Sequence, residues 1–199
     1  MSRLFASIAL ASTLLTSTIA FAAPDNDPAN MVAGSYVLEK THASINAKVM
    51  HHGYAFYVFR FDKFDASFDY DPKEPTKSKV MVTVDTKSMN TGLAKADEKF
   101  PVEFLAADKH PTATFKSSKI TINQVNKGIM AGDLTLGGVT KPIVLDVVFN
   151  GAGKDMWGMM RSGFSATTTI KRSEFGLTKY VPSIGDEVAL DIQVEFTKK

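Results

Sequence analysis

From Tyr36 onward the chain alternates apolar and polar residues at a period of two, the pattern of strands with one face toward a core. The last segment is the clearest. Val188, Leu190, Ile192, Val194 and Phe196 point one way, and Glu187, Ala189, Asp191, Gln193 and Glu195 point the other. Trp157 to Ile170 reads as another long strand, with Met160, Phe164, Ala166, Thr168 and Ile170 on its inner side. Ile45, Ala47 and Val49 follow the same rule, as do Val80, Val82 and Val84, then Ala113 and Phe115, then Ile143, Leu145, Val147 and Phe149. Between Tyr54 and Tyr70 the phase changes. Phe59 and Phe61 share one parity, and Phe64, Ala66, Phe68 and Tyr70 share the other, which predicts a bulge or bend at Asp62-Lys63. Asn126-Lys127-Gly128, Gly137-Gly138 and Gly151-Ala152-Gly153 are turn signals between strands. Only Thr86 to Asp108 departs from the pattern. There Leu93, Ala96, Asp97 and Phe100 fall at helical spacing, and Pro101 ends that turn or opens another carrying Val102, Phe104 and Leu105, so one or two short helices are expected. Roughly eight or nine strands joined mostly by hairpins make an all-β antiparallel barrel or sandwich.

The N-terminus has a different character. Arg3 is the sole charge before Asp25, Leu4 to Leu15 is apolar, and Ala20-Phe21-Ala22 offers small residues for cleavage. Residues 1–22 are therefore read as a secretory signal peptide, residues 23–34 as a disordered Pro-rich leader, and residues 35–199 as one domain. Export with no cysteine leaves stability to the hydrophobic core and fits a soluble periplasmic product. The 23 basic residues nearly balance 21 acidic ones and form no run, which argues against a nucleic-acid partner. An eight-stranded barrel either fills its interior with side chains or encloses one small ligand, and alternation alone leaves both open.

Several segments together resemble the YceI-like family of secreted polyisoprenoid-binding proteins. They are Tyr36 with His42 and His51, Asp85-Thr86-Lys87-Ser88 with Thr91-Gly92, Asp97, Phe104, His110-Pro111, Phe115, Gly132-Asp133-Leu134-Thr135-Leu136, Gly138-Val139-Thr140-Lys141-Pro142, and Ala166 to Ile170 with Arg172, Phe175 and Gly176. The chain departs from the family's usual residues at Glu39, Ala43, Ala47 and Gly137. The resemblance implies an extended lipocalin-like, eight-stranded antiparallel barrel with a long isoprenoid inside, such as a polyprenyl phosphate or a quinone. No cofactor is expected beyond such a lipid. The expected partner is that lipid or another long-chain amphiphile, for example a fatty acid or its amide, with a homodimer and transient membrane contact as open alternatives.

Arg172 is the first candidate for a head-group contact, since a guanidinium pairs with phosphate through two parallel hydrogen bonds. The competing reading is a structural bond that pins the turn from Ser173 to Gly176. His51 reads as a polar group at a cavity mouth. His42, His51 and His52 lie close in sequence, but adjacent His51 and His52 face opposite ways in a strand, so a metal site is not expected. Trp157 and Met160, with Phe59, Phe61, Phe115, Phe164, Ile170 and Phe175, are candidates for the ligand-facing wall, and ordinary core packing is the alternative for each. No catalytic motif appears, and an enzyme would have to use His51 or His52 as its base.

Overall fold

The computed structural model describes residues 23–199, and the segment read as a signal peptide lies outside the described residues. Ten strands and one α-helix follow in order: β1 Gly34–His51, β2 Ala55–Phe61, β3 Phe64–Tyr70, β4 Lys79–Asp85, β5 Met89–Asn90, α1 Ala94–Leu105, β6 Thr112–Gln124, β7 Lys127–Leu136, β8 Val139–Lys154, β9 Met160–Lys171 and β10 Ile184–Lys198. The sheet order β10-β9-β8-β7-β6-β4-β3-β1 closes on itself because β1 also pairs with β10. The result is the expected closed, eight-stranded antiparallel barrel, with β2 and β5 as additional strands and one helix rather than two.

β1 makes this closure, and its length explains how. Along one edge it pairs with β10 from Tyr36 opposite Lys198 to His51 opposite Ile184, with a bulge between Glu39 and Ala43. Its other edge is divided. β3 takes Gly34 to Val37, and β2 takes Ile45 to His51. The change of phase at Asp62-Lys63 is therefore a break between two strands, not a bulge within one. The short link lets Phe61 and Phe64 both face inward despite opposite parity. Further register shifts lie between Ser117 and Lys119 and between Phe149 and Gly151. The Phe149 shift carries β8 through the predicted turn at Gly151–Gly153, so the reversal falls at Asp155–Met159 and β9 starts at Met160 rather than Trp157. At Gly137-Gly138 both residues have positive φ, 57° and 81°, as a two-residue hairpin turn requires.

α1 runs through Pro101 without stopping and ends at Ala106, whose φ is 53°. Ala96 and Pro101 are its buried residues. Asp97 is half-buried, and its carboxylate accepts hydrogen bonds from both the backbone N–H and the hydroxyl of Thr91, each at 2.7 Å.

The segment ahead of β1, read as disordered, is instead ordered against the barrel. Asp25 and Ala152 exchange two backbone hydrogen bonds of 2.9 and 2.8 Å. Pro28–Asn30 forms a 3-10 turn capped by Asp27, and Met31 is only 2% exposed. The Tyr36 hydroxyl donates to the Val32 carbonyl at 2.7 Å, and that of Tyr70 donates to the Pro28 carbonyl. A polar, Pro-rich segment lacks a core of its own; here distant residues of the barrel supply its partners.

Candidate functional site

The barrel interior is not filled. Two chambers of about 300 and 200 Å³ lie along its axis. Ile45, Val82, Phe115, Leu145 and Ile192 line both, so the two chambers of the lumen adjoin at this ring of side chains, its waist. Each of these residues belongs to the inward parity of its strand, which is why a period of two delivers an apolar wall.

The first chamber is bounded by Ala47, Val49, Phe59, Phe61 and Ile170, and is closed below by α1 through Phe100, Phe104 and Leu105. Aromatic contacts link this floor to the wall: Tyr57 lies 6.1 Å from Phe100, and Phe100 lies 5.1 Å from Phe104. Polar atoms are almost absent from the wall. Ala47 stands there with 2% exposure, and its small side chain leaves volume to the lumen.

The second chamber is bounded by Phe64, Phe68, Phe149, Phe164 and Phe196, and its far end meets Pro28 and Met31 of the N-terminal strap. Phe68 is the centre of this cluster, stacked on Tyr36 at 5.1 Å and edge-on to Phe196 at 4.9 Å. Ile122 and Val125, at the tip of the β6–β7 hairpin, line the same chamber although they are 43% and 65% exposed. They mark where it opens toward solvent.

The predicted wall residues thus divide. Phe59, Phe61 and Ile170 face the first chamber, Phe164 the second, and Phe115 stands at the waist. Phe175 is 1% exposed and packs in the core with Leu136, Leu177 and Val188, outside the lumen lining. Trp157 is 71% exposed at the β8–β9 turn and lines neither chamber, and Met160 beside it also lies outside them. Trp157 has the outward parity and sits in the β8–β9 turn, and Met160 has the inward parity but stands at the first residue of β9, beyond the chamber linings.

Arg172 is 6% exposed, and its guanidinium is occupied. Nε donates to the Gly185 carbonyl, Nη1 to that of Leu177 and Nη2 to that of Ile184, each at 2.8 Å. Burial lowers its pKa, and the carboxylate of Asp186 opposes that shift. Asp186 in turn accepts from the backbone and hydroxyl of Ser173 at 2.8 and 2.7 Å, which lowers its own pKa. The arginine therefore locks the turn after β9 onto the start of β10 through carbonyls, not through a salt bridge, while its side chain borders the first chamber.

Other motif residues serve the frame as well. The Asp85 carboxylate accepts from the Lys87 N–H at 2.9 Å, the Ser88 hydroxyl donates to the Asp85 carbonyl at 2.6 Å, and Thr86 is fully buried. Together with the Thr91–Asp97 bonds, these hold α1 beneath the barrel.

His51 lies at the exposed rim of the first chamber, its ring 4.5 Å from that of His52. His42 is elsewhere, on the outer surface with Glu39 and Glu195. These three are the one group of side chains among the described residues close enough to share an ion. Arg161 already serves them, with Nη1 2.9 Å from Glu195 and 3.5 Å from Glu39. Burial raises the Glu39 pKa, but hydrogen bonds from Thr41 and His42 and the charge of His42 outweigh it and hold the value at about 2.

Fold and lumen together define a closed antiparallel barrel built around a two-chambered apolar cavity. The chain belongs to the YceI-like family, whose domain model matches residues 36–196. A UPF0312 protein of Vibrio cholerae is 42% identical over 170 residues, covering 84% of this chain and 89% of that one. The crystal structure of a Campylobacter jejuni YceI protein is similar, with a TM-score of 0.68 and 32% identity over 76% of this chain and 91% of the other. The fold is shared with a polyisoprenoid binding domain from Saccharophagus degradans, implicated in plant cell wall breakdown, at a TM-score of 0.65 and 15% identity, covering 82% and 98% of the two chains.

Proposed function

We propose that the protein is a periplasmic carrier that holds one long isoprenoid lipid in its barrel. The observation that carries this reading is the lumen itself, two adjoining chambers of about 300 and 200 Å³ walled almost wholly by hydrocarbon. That size suits a small-molecule site of roughly 300–1,000 Å³, and the elongated shape suits a chain rather than a compact ring system. Water in such a space has no polar partners, whereas a hydrocarbon chain gains contacts on every side. The isoprenoid class is supported by the fold shared with the polyisoprenoid binding domain. The polar head group of such a lipid would stay at an end of the lumen. Binding rather than catalysis is the reading supported by the fold shared with a polyisoprenoid binding domain, and the ring of His51 lies near those of His52 and Tyr57.

Native mass spectrometry of protein purified from its source cell tests this. The expected result is a bound species of several hundred daltons that a polyprenyl phosphate or quinone displaces and a fatty acid does not. Ala47→Leu places a branched side chain in the first chamber and should lower prenyl affinity at least tenfold without lowering Tm. A protein that remains empty and takes up no prenyl compound refutes the proposal. Displacement by fatty acids alone would assign the lumen to straight-chain amphiphiles.

A further inference from the structure

The β8–β9 turn presents three large apolar side chains to solvent. Met156 is 64% exposed, Trp157 71% and Met159 48%. The backbone beneath them is fixed. The N–H groups of Trp157 and Met159 both donate to Asp155 Oδ1 at 2.9 Å, and Arg161 Nε donates to Asp155 Oδ2 at 2.8 Å. Backbone bonds from Asp155 to the Met159 carbonyl and from Gly158 to the Asp155 carbonyl, each 2.9 Å, close the turn. The apolar tip is thus held in shape by a carboxylate that is itself bonded to Arg161.

Its position adds to this. β7 pairs with β8 only as far as Val148, while β8 continues to Lys154. Phe149 to Lys154 adds roughly 20 Å of strand at about 3.3 Å per residue. The β8–β9 tip therefore reaches beyond the β6–β7 tip, where Ile122 and Val125 mark the opening of the second chamber at the same end of the barrel. Arg161 is shared by Asp155, Glu195 and Glu39, so acidic side chains also stand at this end, and the exposed cation next to the apolar residues in the chain is Lys154. Trp and Met on a short projection beside a lysine match the interface of an anionic bilayer, where the indole sits at head-group depth and the ammonium meets lipid phosphate.

We propose that Met156, Trp157 and Met159 form a docking tip that inserts into the head-group layer of an anionic membrane and brings the second chamber's opening to the lipid. The purpose of the tip rests on the carrier reading, but its test does not.

Trp157 is the single tryptophan of the chain, so its fluorescence reports on this tip alone. Full-length mature protein is mixed with vesicles of phosphatidylcholine, with or without phosphatidylglycerol. The expected result is a blue shift of the emission, quenching by brominated acyl chains, and stronger binding to the vesicles containing phosphatidylglycerol. Met156→Ser combined with Met159→Ser keeps the fluorophore and should weaken vesicle binding at least tenfold, with an unchanged circular dichroism spectrum and unchanged uptake of a prenyl probe in solution. Emission unaltered by saturating vesicles overturns the proposal. So does sedimentation with vesicles while emission stays unshifted, since the contact then lies on another surface. A wild-type protein that docks through Trp157 but takes up no prenyl probe would refute the carrier reading and leave the docking tip in place.

Discussion

Replacing Arg172 by Met separates the two roles that an arginine at this position can play. The substitution keeps much of the apolar stem and removes three hydrogen bonds, to the carbonyls of Gly185, Leu177 and Ile184. Hydrogen bonds to charged groups contribute about 1.5–3 kcal/mol each. The three share one guanidinium and are not additive, and removing one side of a buried charged cluster costs about 3–5 kcal/mol. At about 2–4 °C per kcal/mol for a domain of this size, Tm should fall by roughly 6–20 °C. Urea denaturation followed by far-ultraviolet circular dichroism measures the free-energy change directly. Prenyl affinity, measured where the variant is still folded, should change less than threefold. Arg172→Lys should be nearly as unstable, because a single ammonium cannot reach three carbonyls in a fixed fork. If Arg172→Met costs under about 1 kcal/mol while prenyl affinity falls more than tenfold, the arginine is a ligand contact and the reasoning is wrong.

Gly132 on β7 lies beneath the waist, and a Cβ there would stand 2.4 Å from Phe115 Cζ and 2.5 Å from the Lys116 carbonyl oxygen. Gly132→Ala should therefore destabilise by about 1–3 kcal/mol, the usual cost of overpacking, read as a lower urea midpoint with an unchanged slope. The surface cluster around Glu39 predicts a pH dependence. Its folded pKa of about 2 lies below the ordinary 4.5, so its contribution to stability is present above pH 4.5 and is lost as pH falls through 2. Urea midpoints measured from pH 6 to pH 2 should fall less steeply for Glu39→Gln than for the wild type, and parallel curves would refute the assignment.

The strands and most of their inward faces were legible in the sequence because inner runs such as Ile45 to Val49 in β1 and Val188 to Phe196 in β10 follow a period of two, which breaks at register shifts such as that between Ser117 and Lys119. Three features were not. The order of the strap depends on Ala152 and Tyr70, far away in sequence, so a Pro-rich stretch that is locally unstable becomes a fixed part of the wall. Met160 keeps the inward parity of β9 but stands at its first residue, and Trp157 falls in the turn that the Asp155 carboxylate closes by accepting from the N–H groups of Trp157 and Met159. The role of Arg172 could not be read from a motif, because a buried arginine binding carbonyls and one awaiting a phosphate leave the same letter in the sequence. For the lumen, alternation named which residues face inward, but whether they meet across the barrel depends on its diameter. Eight staggered strands with Ala47 at an inner position leave space that no single strand reveals.

The pairing of β1 with β10 has a kinetic consequence. Tyr36 meets Lys198 and Ala47 meets Leu190, so the contacts that close the barrel join the two ends of the domain. Such non-local pairings slow folding toward the millisecond-to-second range typical of β topologies. Until residues 184–198 are available, β1 and β9 each present an unpaired edge, and an unpaired edge is a template for joining another chain. A molecule shortened at its C-terminus would thus lose more than one stave, because both exposed edges would invite aggregation before any lumen could form.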